Sequence, residues 1–235
     1  MRAVVYALYR QGLIGAEGDM REAFASPELP GMDKVMKNWC ILHERYSRIV
    51  DEGAFDFSEG ANTSLFISAV NMIDEWISVA EHNVKRMASE RRGRFDVYIA
   101  SDDHDYVIEM KQIYKKVTPQ TRTFPNVESG KFARAREQVE SINLDDIFED
   151  PQSVTPLFGG FIVPTCTEEL MPPNRFYRTR AEELFDRLVR HCNENFDAFA
   201  VFAPDLKRGD LVYEDYHGEK LIRPMAALVL KKATN

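Results

Sequence analysis

The chain predicts an α/β fold, a central mixed β-sheet flanked by helices, and three observations lead there. Apolar runs of strand length recur from residue 97 onward: VYIA, YVIEM, FGGFIVPT, DAFAVFAP and MAALVLKK. Stretches with helical periodicity fall between them, and strands that alternate with helices favour a sheet with helices packed on its faces. The length, 235 residues with 44% hydrophobic content, is enough for one sizeable core.

Taken in order, the opening RAVVYALYRQGLIGAEGDMREAFA alternates weakly and then reads as helix-like until Pro30 and Gly31 interrupt it. From Asp33 to Val50, Val35, Trp39, Leu42 and Tyr46 repeat at helical spacing, which predicts an amphipathic helix. Residues 1–58 are expected to form a mainly helical extension packed on an α/β domain spanning 59–235. A second helix is expected over 62–83, with a stripe of Leu65, Ala69, Met72, Trp76 and Val79 or Ala80, capped by Asn62 or Thr63. Both tryptophans read as core residues.

Residues 84–114 read as successive strands. Arg92-Gly93 turns the chain, and a polar turn at Ser101–Asp105 separates VYIA from YVIEM. Little periodicity marks 115–127. KFARAREQVESI predicts a short helix, and NLDDIFEDPQSVTP reads as loop. FGGFIVPT is a strand, RAEELFDRLVRHCNEN a helix with Leu184, Leu188 and His191 on one face, and DAFAVFAP and MAALVLKK are buried strands.

Charge narrows the function classes. Against 38 Asp and Glu stand 30 Lys and Arg, a net charge of -8, so any nucleic-acid surface has to be a local basic patch. Cys40, Cys166 and Cys192 are isolated, which argues against a disulfide framework or a cysteine metal knuckle and for thiols in a reducing compartment. No window supplies eighteen apolar residues and no convincing signal-peptide core is present, so a cytoplasmic protein without membrane association is expected. The histidines lack zinc-like spacing, and neither a dinucleotide fingerprint nor a phosphate loop is found.

The chemistry-bearing stretch is RFDVYIASDDHDYVIEMKQIY, residues 94–114. Asp96 shares strand parity with Tyr98, and Glu109 and Lys111 share parity with Val107, so pairing across the turn brings two carboxylates and an amine together. Two close carboxylates repel unless a cation sits between them. A divalent metal held by Asp96, Glu109 and the Met110 carbonyl serves that purpose, with Lys111 left to position water or offset charge on a phosphate.

GRFDVYI and YVIEMK together resemble the PD-(D/E)xK nuclease superfamily, with Phe95 where the family name has proline and Gly93-Arg94-Phe95-Asp96 similar to its GR-x-D variant. The resemblance implies a restriction endonuclease-like fold over roughly 59–205 and hydrolysis of phosphodiesters, DNA in preference to RNA, with Mg²⁺ or Mn²⁺. It makes Asp96 and Glu109 metal ligands and Lys111 the catalytic lysine. It also implies a helix acid before the first strand, for which Glu59 and Glu75 stand level, with Glu81 nearer the helix end. Gln138, in the helix after the motif, and Gln112 are candidates near the scissile phosphate. Lys115, Lys116, Arg122, Lys131, Arg134 and Arg136 form a basic cluster suited to phosphates. A second, basic-aromatic patch comprises Arg175, Phe176, Tyr177, Arg178 and Arg180, where bases could stack on the rings but seating of the following helix against the sheet is the preferred reading. Duplex cleavage by a single site implies a homodimer or sequential nicks. A noncatalytic nucleic-acid-binding or scaffold protein on the same fold is the alternative, and a solvated surface hairpin the plainest one.

Overall fold

The computed structural model describes residues 20–50, 53–54, 58–86, 89–102, 104–118, 121, 123–128, 130–171, 176–204, 212–214 and 218–233. They form strands β1 (Met20–Ala25), β2 (Ile77–Arg86), β3 (Ser89–Ala100), β4 (Asp105–Val117), β5 (Val154–Thr167), β6 (Ala198–Ala203), β7 (Val212–Glu214), β8 (Lys220–Ile222) and β9 (Ala226–Lys232). The helices are α1 (Met32–Val50), α2 (Glu59–Val70), α3 (Gly130–Glu140) and α4 (Phe176–Asn195). The sheet order is β1-β6-β9-β5-β4-β3-β2, with β8 on the end of β5 and β7 beside β8. Among the described strands only β4 and β5 run parallel; the other pairs are antiparallel, so the sheet is mixed.

Helices cover both faces. Phe132, Ala135 and Val139 of α3 and Leu184, Leu188 and Cys192 of α4 pack with Val107, Phe158, Phe199 and Val229 on one face. On the other, Val35, Trp39 and Phe66 from α1 and α2 pack with Val97, Ile108, Phe161 and Leu228. Strands β6 and β9 lie between these two layers, which is why AFAVFA and AALVL are apolar at nearly every position. Among the described residues no helix is long and apolar enough to cross a membrane.

Several local expectations are corrected. Met20–Ala25, read as helix-like, is an edge strand paired in full with β6. Its six residues are all half-buried, so no inside-outside alternation marks them as a strand, and residues 2–19 of the same reading lie outside the described residues. The second helix runs over Glu59–Val70 and not on to Asn83. Ser58 caps it by accepting from the Ala61 N–H, so neither Asn62 nor Thr63 is the cap. Asn71 ends it, since its side-chain oxygen accepts from both the Ser78 N–H and the Ser78 hydroxyl and so ties the turn to the start of β2. Local side-chain hydrogen bonds of this kind compete with helix continuation. Trp76 consequently lies in the turn over Gly31, where an added Cβ would meet its indole at 2.3 Å. Gly93 pairs with Val84 inside the β2–β3 ladder and makes no turn there. The supposed loop at 143–156 holds two 3₁₀ turns, Leu144–Asp146 and Pro151–Ser153, and the first residues of β5. Strands β7 and β8 had no signal strong enough to be read.

Helix α1 carries a buried titratable group that makes stability depend on pH. His43 is one turn beyond Trp39, with ring centroids 4.1 Å apart, and 5.8 Å from Phe202. Burial pushes its pKa down to about 3 from an ordinary 6.5. Between those two values the unfolded chain binds a proton that the folded chain refuses, so the folded state loses stability as pH falls below 6.5. The slope is about 1.4 kcal/mol per pH unit. Replacing His43 with Phe, which fills a similar space, is expected to flatten that slope in denaturant titrations between pH 7 and 5. Equal slopes for the two proteins would show that His43 does not titrate this way.

Candidate metal and nucleic-acid site

The site begins where two strands part. The β3–β4 ladder pairs Ile99 with Tyr106, Tyr98 with Val107 and Val97 with Ile108, then stops. One further step would set Asp96 opposite Glu109. On the other side of β3, Glu81 of β2 is skipped in the ladder opposite Asp96 and adopts φ +57°. The register is unbroken there, since Ala80 stays opposite Val97 and His82 opposite Phe95, so Glu81 marks a one-step gap in the ladder and not an inserted residue. With the β3–β4 ladder ended at Ile108 while β3 stays paired with β2, the edge of β4 is uncovered from Met110 onward.

Charged side chains satisfy that uncovered edge. The Met110 N–H donates to Asp96 Oδ2 at 2.8 Å, and the Met110 carbonyl accepts from Lys111 Nζ at 2.9 Å. One step further, the Gln112 N–H donates to Glu59 Oε2 at 2.6 Å, and its carbonyl accepts from Lys131 Nζ at 2.7 Å. Backbone groups at a strand edge require partners, and here two carboxylates and two ammoniums supply them. Met110 keeps its side chain in the core and turns only its backbone to the site.

Lys111 is the hub. Its ammonium also donates to Glu109 Oε1 at 2.8 Å and lies 3.4 Å from Asp96 Oδ2. Glu109 is only 3% exposed, so its charge depends on that pairing. Burial by itself pushes the Lys111 pKa down. The hydrogen bond to Glu109 and the charges of Glu109, Asp96 and Glu59 together outweigh it and hold the amine above its ordinary value. The lysine is therefore a cation at neutral pH, with three acids acting on it.

Helix α2 decides between the two acids that sequence left level. Glu59 stands in its first turn, where a carboxylate suits the helix dipole, and its side chain reaches β4. Glu75 lies beyond the helix end at φ +69° and lines a separate cleft of about 880 Å³ with Arg21, Lys34, Lys37 and Met72. Glu81 pairs with Arg94 at 3.0 Å. So the structure brings Glu59, Asp96, Glu109 and Lys111 together and leaves Glu75 and Glu81 apart.

The remaining candidates divide in the same way. Gln112 is buried at the site. Its side-chain oxygen accepts from Asn62 Nδ2 at 3.2 Å, and its amide donates to the Tyr114 hydroxyl at 2.5 Å. Gln138 is half-buried on α3, and its backbone carbonyl accepts from Ser141; no hydrogen bond links its side chain to the hub. Lys131 reaches the strand edge, Arg134 is exposed one turn further along α3, and Lys115 is half-buried on β4. Lys116 is engaged by Glu219 at 2.9 Å, and Arg136 by Glu128 and Glu140. Arg122 and Arg175 lie outside the described residues, as does the Phe176 side chain. Tyr177 packs against the core, while Arg178 and Arg180 pair with Glu182 and Glu183. The structural reading of that patch therefore fits better. Sequence reading missed Asn62 as a site residue and missed Tyr114. The parity of Gln112 and Tyr114, two apart on one strand, was the available signal.

The donor set suits a hard divalent cation, since every candidate ligand is oxygen: Glu59, Asp96, Glu109 and the Met110 carbonyl. As arranged, three of these oxygens surround the Lys111 ammonium at 2.8–3.4 Å. Those distances belong to hydrogen bonds. Among the described residues no group of three or more His, Cys, Asp or Glu is placed to hold a metal ion without rearrangement. Loading such a cation requires the lysine to withdraw and the oxygens to draw in to roughly 2.0–2.6 Å. No family model, no curated protein and no solved structure matches the chain.

Proposed function

We propose that this protein is a Mg²⁺- or Mn²⁺-dependent nuclease with a restriction endonuclease-like fold, hydrolysing phosphodiesters in DNA in preference to RNA. One observation carries the reading. The strand β4 is stripped of its neighbour at Met110, and Glu59, Asp96, Glu109 and Lys111 converge on the bared edge. Satisfying the bared edge takes Asp96, Glu59, Lys111 and Lys131, whereas Glu109 adds a third, buried carboxylate beside the same lysine, and phosphoryl-transfer chemistry uses such a concentration of acids.

In this reading Asp96, Glu109 and the Met110 carbonyl hold the cation, and Glu59 supports it from α2. The ion, when bound, supplies Lewis-acid polarisation of a phosphate oxygen and makes water a stronger nucleophile. Lys111 turns its ammonium from the carboxylates to the phosphate and offsets the charge that grows on its oxygens. Lys131, already at the strand edge, and Arg134 track the phosphates on either side. Water forms the new P–O bond, and the P–O bond to the departing sugar oxygen breaks. The homodimer that duplex cleavage would call for belongs to the same proposal.

The second reading, a noncatalytic nucleic-acid-binding or scaffold protein on this fold, draws on the seat that Lys111 occupies. An ammonium bonded to three oxygens already satisfies the edge. Labelled single- and double-stranded DNA and RNA incubated with Mg²⁺, Mn²⁺ or EDTA separate the two. Cleavage that needs metal and stops in EDTA is the expected result. Binding without cleavage under every condition would establish the second reading instead.

A further inference from the structure

Three residues past Lys111, Tyr114 is oriented in a way that core packing does not require. It is 44% exposed, although it lies on a strand that runs mostly through the core. One side of its ring is held by the Arg223 guanidinium, 4.3 Å from the ring centroid. Arg223 is itself buried and lies 4.0 Å from the Tyr213 ring, so the three side chains stack as ring, guanidinium, ring. The Tyr114 hydroxyl is tied by the Gln112 amide, and Gln112 is tied in turn to Asn62 of α2. A rigid aromatic ring backed by a cation, and open to solvent, is the arrangement on which a nucleic-acid base stacks.

We infer that Tyr114 is a base-stacking platform and that the site takes single-stranded or frayed DNA, in which a base is free of its own stack. The inference rests on the nuclease reading for the phosphate partners and deepens it by naming the form of the substrate. Three residues of strand cover about 10 Å. Strand parity puts Tyr114 on the α2 side of β4 and Lys111 on the other, so the two meet across the bared edge, where Lys131 bonds the Gln112 carbonyl; one DNA strand that crosses this edge can rest a base on Tyr114 while a neighbouring phosphate reaches Lys131 and Lys111. In a closed duplex each base face is already occupied by its neighbours, so the ring has nothing to take up. Asn62 and Gln112 act as positioning residues: they fix the ring angle and touch no base.

The test measures the binding of a fluorescent oligothymidylate, and of a blunt duplex of equal length, to the full chain in EDTA. Wild type, Tyr114→Ala and Tyr114→Phe are compared, each checked for folding by thermal unfolding, and Mg²⁺-dependent cleavage is followed in parallel. Loss of the ring should weaken single-strand binding about tenfold or more. Tyr114→Phe keeps the ring and should stay within about twofold, and duplex binding should barely change in either variant. Unchanged single-strand binding by Tyr114→Ala overturns the inference, and with cleavage intact it leaves the nuclease reading standing. No single-strand binding by wild type overturns it as well. Ring-dependent binding without metal-dependent cleavage supports it and removes the nuclease reading in favour of a noncatalytic binding protein.

Discussion

Replacing Lys111 with Ala is expected to lower metal-dependent cleavage by about 10²-fold or more, and at the same time to make folding stability depend on divalent metal. The first effect is the scale lost when a positioned electrostatic or proton-transferring group is removed. The second follows from what the ammonium holds. Without it Glu109, almost fully buried, and Asp96 face each other with no cation between them. Breaking a buried pair by removing one partner costs about 3–5 kcal/mol. A divalent ion that enters the vacated seat binds only the folded chain and restores stability in proportion to its concentration over its Kd.

The wild type should respond less to metal, because there the ion must first displace the ammonium. The measurement is a denaturant midpoint for both proteins in EDTA and in increasing Mg²⁺ or Mn²⁺, with cleavage rates taken at equal folded concentration. Asp96→Ala and Glu109→Ala should also lose cleavage, but unlike the lysine variant they should lose the metal response with it. A lysine variant that cleaves at the wild-type rate would end the role given to Lys111. One that is destabilised but indifferent to metal would make the cluster a strand-edge brace and nothing more.

The part of this site that sequence made legible is the part governed by strand parity. A period of two is rigid, so Asp96 with Tyr98, and Glu109 with Lys111, had to share faces once the hairpin was recognised. Glu59 and Glu75 were indistinguishable for an equally physical reason. Choosing between them required knowing where α2 ends, and that end is set by Asn71 reaching seven residues ahead to Ser78. A side chain bonding to backbone across a turn leaves no periodic trace. The early end of the β3–β4 ladder at Ile108 was hidden as well, because both strands run on past it and no residue pattern marks where their pairing stops. Strands of the fold core were readable because they are apolar on both faces. The edge strand β1 and the short β7 and β8 were not, because half-buried or three-residue strands carry too little pattern.

The largest expected loss of stability comes from a residue behind the site. Gly160 lies opposite Lys111 in the parallel β4–β5 ladder, with φ +140°. A Cβ there would stand 1.8 Å from the Lys111 carbonyl oxygen and 2.5 Å from its nitrogen. These are backbone atoms of a central strand, so no side-chain rotation relieves the clash, and β5 would have to move off β4. It has no room on its other side, because a Cβ on the adjacent Gly159 would meet the Val229 carbonyl oxygen at 2.0 Å. The FGGF pair is thus what lets β4, β5 and β9 close up around one register. Gly160→Ala combines an unfavourable φ with overpacking against backbone, and should cost about 4 kcal/mol or more. Gly130 offers the control: it also has positive φ, +62°, but nothing lies within 4 Å of the added carbon. Gly130→Ala should therefore cost only the strain of the left-handed conformation, about 1–2 kcal/mol. Urea midpoints for the two variants decide the matter, and a Gly160→Ala protein as stable as Gly130→Ala would show that the close approach at Lys111 is not a constraint. Whatever fraction of Gly160→Ala remains folded should also cleave poorly. Its compensating shift falls on the backbone of Lys111 itself, and an ammonium moved by an ångström no longer meets the phosphate it serves.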